Sequence, residues 1–248
     1  MQRAENYAYK YSDKVVSILP KTLDYMIDHG LKKDKFVHIP NGICMEEWKI
    51  DNKIPLELSA LLNNLKQQKK IIIGYAGNHG IANALNNLVD AMKSLQNENV
   101  VLLLIGKGQE KQNLKKRVRE KNITNVHFIS AVPKTVIPSL LDKLDILYVG
   151  LQNQPVFRFG ISPNKLIDYM MAGKPIIQAI NAGNDMVSEA GCGVSIEPEN
   201  TEAIVNAIRH LITQTQESLI ELGTRGKDFC TKNYDYKILA NKFLEILY

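Results

Sequence analysis

The sequence predicts a doubly wound α/β fold, a parallel sheet with helices on both faces. Three observations lead there. Short, largely apolar runs recur at residues 71–76, 100–105, 126–129, 146–149, 176–180 and 194–196, broken only by His127, Gln178 and Ser195, and runs without regular polar alternation read as strands buried on both faces. Between them lie stretches with apolar residues at helical spacing, such as Leu85, Leu88, Val89 and Met92. Strand and helix then alternate at regular intervals, the pattern of βαβ units rather than of hairpins. Ligands of such sheets sit beyond the carboxyl ends of the strands. The turns at Gly77 and Gly106 and the loop from Phe157 are therefore where a site belongs.

Taken in order, residues 1–51 read as a polar helix, a strand at 15–18, a helix at 21–29 ended by Gly30, and a strand at 36–39 before the turn Pro40-Asn41-Gly42. Residues 51–69 are charged, contain Pro55 and read as a linker running into a helix. Strand 71–76 then ends in the tight turn Gly77-Asn78-His79-Gly80, and strand 100–105 in Gly106-Lys107-Gly108 before a basic helix at 109–120. After strand 126–129 and Pro133 come a helix at 136–141 and strands at 146–149 and 176–180. A short helix at 185–190, a last strand at 194–196 and two or three helices close the chain.

Composition narrows the class of function. The 248 residues are 45% hydrophobic, enough for one large core or two modest ones. Lys+Arg 31 against Asp+Glu 26 gives +5, a mild excess that suits an anionic ligand without calling for nucleic acid. Cys44, Cys192 and Cys230 are scattered, without ligand-like spacing, which suits a reducing, cytoplasmic setting and argues against a disulfide framework or a zinc site. The longest apolar run, 100–105, is too short to span a bilayer, so any membrane contact expected is peripheral. Lys111, Lys115, Lys116, Arg117, Arg119 and Lys121 form a cationic run, but the interspersed Leu114 and Val118 make it an ordinary amphipathic helix with a solvated face.

The chemistry concentrates in residues 157–175. Ser162 followed by Pro163 reads as an N-cap and first helical position, and Gly173 then Pro175 as the stop. Leu166, Ile167, Met170 and Met171 fall on a buried face, with Lys165, Asp168 and Tyr169 around the rim. A helix start fed by a loop with Arg158 and Gly160, and carrying Lys165 in its first turn, is a natural phosphate site. Arg158 has two donors for phosphate oxygens. His79, between glycines, is open to two readings, a group facing the cleft or a solvated turn residue. No Asp-x-Asp pair occurs, so no metal is expected and basic side chains with a helix dipole must stabilise the phosphate.

Here the residues carry a resemblance. The run Ser162-Pro163-Asn164-Lys165-Leu166-Ile167-Asp168-Tyr169-Met170-Met171-Ala172-Gly173-Lys174-Pro175 resembles the donor-site helix of glycosyl transferases group one, the retaining GT-B enzymes. Pro40-Asn41-Gly42-Ile43 resembles the turn that closes the acceptor domain in that family, with Cys44 in place of its aspartate. The resemblance implies a Rossmann-like donor domain at 52–233, preceded by the tail of an acceptor domain at 1–51. A last helix at 234–248 would cross back towards that first domain and, in this chain alone, be loosely held. It implies Asp168 on the nucleoside ribose, Lys165 and Arg158 on the diphosphate, and Gly77, Asn78, His79 and Gly80 on the sugar-diphosphate side. Gly106, Gly160, Ile161, Ser162 and Asn164 would line the donor, and the family's second glutamate would fall at Gly160, a departure shared by a subfamily. The arginine and lysine usual near Gly77 are absent.

The implied reaction moves a sugar from a nucleoside diphosphate sugar to a saccharide or lipid-linked acceptor in surface polysaccharide assembly, with no cofactor. The chain would then be either a fragment of such an enzyme or one half of a split one, whose acceptor domain a separate chain would supply. Three other readings stand beside it. Gly74-x-x-Gly77-x-x-Gly80 resembles a dinucleotide fingerprint, yet the tip of the second strand offers no carboxylate before Glu110 to hold an NAD ribose. A sugar-nucleotide epimerase of GT-B fold would need acid/base carboxylates in the absent domain. A non-catalytic partner subunit gains weight from Gly160 and the short first segment.

Overall fold

The computed structural model describes residues 2–49 and 52–247. The expected boundary at 51/52 and the final Tyr248 lie outside them. In chain order the elements are α1 (Gln2–Tyr11), β1 (Val15–Ser17), α2 (Leu23–Asp28), β2 (Phe36–His38), α3 (Leu56–Gln67), β3 (Ile71–Ala76), α4 (Leu85–Ser94), β4 (Val100–Ile105), α5 (Lys111–Glu120) and β5 (Val126–Ile129). There follow α6 (Ile137–Asp142), β6 (Ile146–Gly150), α7 (Asn164–Met171), β7 (Ile176–Ala179), α8 (Met186–Ala190), β8 (Gly193–Ile196), α9 (Thr201–Ile212), α10 (Gln216–Asn233) and α11 (Tyr236–Leu244). Six strands form one parallel sheet in the order β5-β4-β3-β6-β7-β8. The winding reverses between β3 and β6, and the crevice beyond their carboxyl ends is the switch point of the fold.

Strand alternation divides the core. On β4, Val101, Leu103 and Ile105 join a layer with Leu58, Leu62 and Leu65 of α3, Leu140 and Leu141 of α6, Leu166 and Met170 of α7, and Cys230 of α10. Val100, Leu102 and Leu104 join the other, with Leu88 and Met92 of α4, Leu114 of α5, and Ile204 and Ile208 of α9. Two cations of the run along α5 are paired from α4: Arg117 and Lys121 both meet Asp90, the latter at 2.7 Å.

β1 and β2 form a separate two-stranded parallel pair. The turn after β2 is tied to the loop before α7: Asn41 N–H donates to Ser162 Oγ at 2.9 Å, and Asn41 Nδ2 to the Ser162 carbonyl at 2.6 Å. Ser162 is thereby corrected as an N-cap. Pro163 occupies that position with no side-chain cap, and α7 begins one residue later than expected, at Asn164. The stop is as expected, with Ala172 at the cap and Gly173 in a left-handed conformation (φ 65°). Residues 234–236 pair with the link, Ile43 N–H donating to the Tyr234 carbonyl at 2.8 Å and Tyr236 N–H to the Ile43 carbonyl at 3.0 Å. The start of the C-terminal segment is thus anchored, against the expectation of a loose one, with Tyr234 and Leu239 buried while Phe243 and Leu247 face solvent.

Candidate functional site

A cleft of about 440 Å³ opens beyond β3, β4 and β5, with α7 as its wall. Its floor is the meeting of two glycine turns. Gly77 N–H donates to the Ile105 carbonyl at 2.9 Å, and a Cβ on Gly106 would stand 1.9 Å from the Gly77 carbonyl oxygen, so only glycine lets the turns touch. The glycines therefore serve the contact between two strand tips as well as any approach to a ligand.

Lys165 reaches into this cleft from the first turn of α7. Its Nζ donates to the Tyr75 hydroxyl at 2.6 Å and to Asn83 Oδ1 at 3.2 Å, and lies 4.0 Å from the centre of the Tyr75 ring. Among the described residues no carboxylate pairs with it, and burial lowers its pKa to about 7. Asp168, one turn further on, lines the same cleft; burial pushes its carboxyl up to about 6, against the pull of Lys134 and with Glu47 adding to the rise. Lys134 pairs with Glu47 at 3.2 Å, tying the link before α3 to the cleft rim.

Of the residues expected at a site, Gly77, Asn78, Gly106, Lys165 and Asp168 line this cleft, and Arg158, His79, Gly80, Gly160, Ile161, Ser162 and Asn164 do not. Each of several absences has a physical reason. His79 fits neither of its two readings: it is fully buried against Tyr75, and burial, then the charges of Lys111 and Lys165, lower its pKa to about 4. Arg158 is exposed, stacked on Phe159 at 4.2 Å and bonded to the Pro155 carbonyl at 3.0 Å. Ile161 is core, its N–H donating to Asn184 Oδ1 at 2.7 Å and its carbonyl accepting from Asn184 Nδ2 at 3.2 Å. Gly160 has φ 94° and a Cβ there would stand 2.6 Å from Pro20 Cδ, which accounts for the missing glutamate.

Tyr169 is corrected from rim to core: it is 1% exposed and its hydroxyl accepts from Ala76 N–H at 2.7 Å. Tyr75, Lys134 and Asn83 were missed. Lys134 follows the carboxyl end of a predicted strand, so the rule that marked Gly77 and Gly106 reaches it too. Tyr75, a lone phenol in an aliphatic strand, carried the same kind of signal.

Fold and cleft define a doubly wound α/β protein with, among the described residues, an unpaired cation and a partly buried carboxyl in a cleft beyond the carboxyl ends of β3, β4 and β5. More narrowly, the chain belongs to the family of glycosyl transferases group 1, whose model matches residues 62–229. It is 23% identical over 238 residues to WcaI of Escherichia coli K12, named for glycosyl transfer in colanic acid biosynthesis, covering 94% of this chain and 56% of WcaI. It is 22% identical over 252 residues to the Pseudomonas aeruginosa glycosyltransferase WbjE, covering 97% of this chain and 62% of that protein. The fold superposes on Anabaena HepE, solved with UDP and glucose, with TM-score 0.77 at 19% identity over 99% of this chain and 66% of HepE. The chain thus spans less than two thirds of the curated relatives it matches. Among the described residues no helix is long and apolar enough to cross a membrane, and no three His, Cys, Asp or Glu side chains cluster as metal ligands would.

Proposed function

We propose that this chain is the donor-binding portion of a retaining GT-B glycosyltransferase, taking a nucleoside diphosphate sugar and serving a saccharide or lipid-linked acceptor in surface polysaccharide assembly. One observation carries the reading: a lysine amine with no carboxylate partner among the described residues sits in the cleft beyond β3, β4 and β5, with a carboxyl three residues on along the same helix. An unpaired cation in the first turn of a helix opposes the helix dipole and calls for an anion. In this reading Lys165 holds the diphosphate, Asp168 accepts from the ribose hydroxyls, and the 77–78 and 106 backbone lies against the sugar-diphosphate junction.

Chemically, the chain stabilises negative charge building on the leaving diphosphate as the bond from the sugar's anomeric carbon breaks. The acceptor hydroxyl attacks from the same face, so no protein nucleophile is needed. The relatives are longer than this chain, and the acceptor wall is assigned to the portion that it does not span. The chain alone should therefore bind donor without efficient transfer. Calorimetric titration of UDP, GDP and ADP, each in chelator and in magnesium, tests the reading. At least one should bind, equally in both buffers. Binding by none of the three sinks the donor assignment, and a large loss in chelator sinks the metal-free clamp.

A further inference from the structure

We propose that Tyr75 is a positioning residue for the donor diphosphate, holding the Lys165 amine and the 77–78 turn in one arrangement; this rests on the reading of Lys165 given above. Tyr75 is fully buried on β3, where a phenol needs a partner for its hydroxyl. It has two. The hydroxyl accepts from Lys165 Nζ at 2.6 Å and donates to the Asn78 carbonyl at 2.7 Å. The directions are forced, because an ammonium can only donate and a carbonyl can only accept. The face of the ring, 4.0 Å below the amine, favours the charged form. The turn folds down onto this pair: a Cβ on Gly77 would stand 2.7 Å from Lys165 Cε and 3.4 Å from the Tyr75 hydroxyl. Cation and backbone are thus set by one side chain.

Asn83 makes the same two contacts more weakly. It accepts from Lys165 Nζ at 3.2 Å and donates to the Asn78 carbonyl at 3.0 Å. Tyr75→Phe therefore leaves every atom of the cluster with a partner, and its cost falls on the precision and charge of the amine. The titratable groups around Lys165 are His79 of the turn, which also feels Lys111 of α5, and Lys107, Lys134, Asp168 and Tyr169, which line the same cleft. Among the described residues none forms an ion pair with it. Losing the phenol removes a hydrogen-bond acceptor that favours the ammonium, so the amine should titrate at still lower pH.

The test is calorimetric titration of wild type, Tyr75→Phe, Lys165→Met and the double variant with UDP, GDP and ADP and their nucleosides, from pH 6 to 9, with urea midpoints alongside. Tyr75→Phe should weaken diphosphate binding roughly 10-fold at pH 8 and less at pH 6, with nucleoside affinity unchanged. In the Lys165→Met background the same change should weaken diphosphate binding far less than in wild type, leaving only the contribution of the 77–78 turn, which a merely structural role would not produce. Diphosphate affinity unaltered by Tyr75→Phe, or nucleoside and diphosphate weakened alike, overturns the proposal. Wild type binding none of the three diphosphates overturns both this inference and the function beneath it.

Discussion

Restoring the family's second glutamate by Gly160→Glu should damage this chain rather than complete it. Gly160 has φ 94°, and an added Cβ would meet Pro20 Cδ at 2.6 Å, Pro20 Cγ at 2.7 Å and Asn184 Oδ1 at 2.9 Å. The backbone at φ 94°, ψ 177° lies in a region essentially confined to glycine and costs a side-chain-bearing residue about 1–3 kcal/mol, and overpacking against a ring typically adds about 1–3 kcal/mol. Asn184 is no free neighbour either, since the same oxygen accepts from Ile161 N–H at 2.7 Å. The sum is about 2–6 kcal/mol, and at about 2–4 °C per kcal/mol for a chain of this size the melting temperature should fall by about 4–24 °C. Thermal unfolding of Gly160→Ala and Gly160→Glu reads it. Alanine should already produce most of the loss, because φ and Cβ are common to both. An unshifted Gly160→Glu that binds nucleoside diphosphate sugar more tightly would refute the reasoning, since the loop would then have re-formed with its carboxylate in the cleft.

Three other perturbations separate roles within the molecule. Lys165→Ala should weaken nucleoside diphosphate by roughly 1.5–3 kcal/mol while sparing the nucleoside, whereas Asp168→Asn should weaken both by similar factors. An Asp168→Asn variant that lowers only the melting temperature would remove the ribose assignment. Lys165 holds fewer protons folded than unfolded between its pKa of about 7 and its ordinary 10.5, so unliganded stability should rise with pH across that window. Lys165→Met should abolish that slope and be more stable at pH 7 by roughly 2–4 kcal/mol; identical urea midpoints for both proteins from pH 7 to 10 would count against a buried charge. Cys192 and Cys230 are buried, with thiols pushed up to about 12, while Cys44 is half-exposed, so native protein should take one alkyl group quickly at pH 8, and mass spectrometry finding it on Cys192 would contradict the packing.

The sheet was legible because burial on both faces leaves an unbroken apolar signature: 71–76 and 100–105 are β3 and β4 to the residue. Helix starts were less so. Ser162 has the residue type of a cap, but its hydroxyl is taken by Asn41, 121 residues earlier, and no local pattern announces a partner so distant. Tyr169 was misplaced for a related reason. A hydroxyl suggests a rim until a strand end, here Ala76, offers it hydrogen bonds in the core. The candidate site divides in the same way. Lys165 and Asp168 share a helix and could be read from spacing, whereas Tyr75, Asn83 and Lys134 arrive from elements that the sheet topology alone brings together.

Burial in the cleft pushes its two charges towards neutrality from opposite sides, and this gives the donor assignment a signature of its own. Burial holds the Lys165 amine at about 7 and the Asp168 carboxyl at about 6, so near pH 6.5 each is partly uncharged. Diphosphate oxygens beside Lys165 would favour the ammonium, and binding should take up a proton there. Ribose hydroxyls donating to Asp168 would favour the carboxylate, and binding should release one. A nucleoside should therefore release protons near pH 6.5, and a nucleoside diphosphate should take protons up at pH 8, where its own terminal phosphate is already ionised and Lys165 is mostly neutral. Calorimetry in buffers of different ionisation enthalpy measures the sign directly. The same sign for the nucleoside at pH 6.5 and the nucleoside diphosphate at pH 8 would mean that one residue meets both ligands, and the division of labour along α7 would fail.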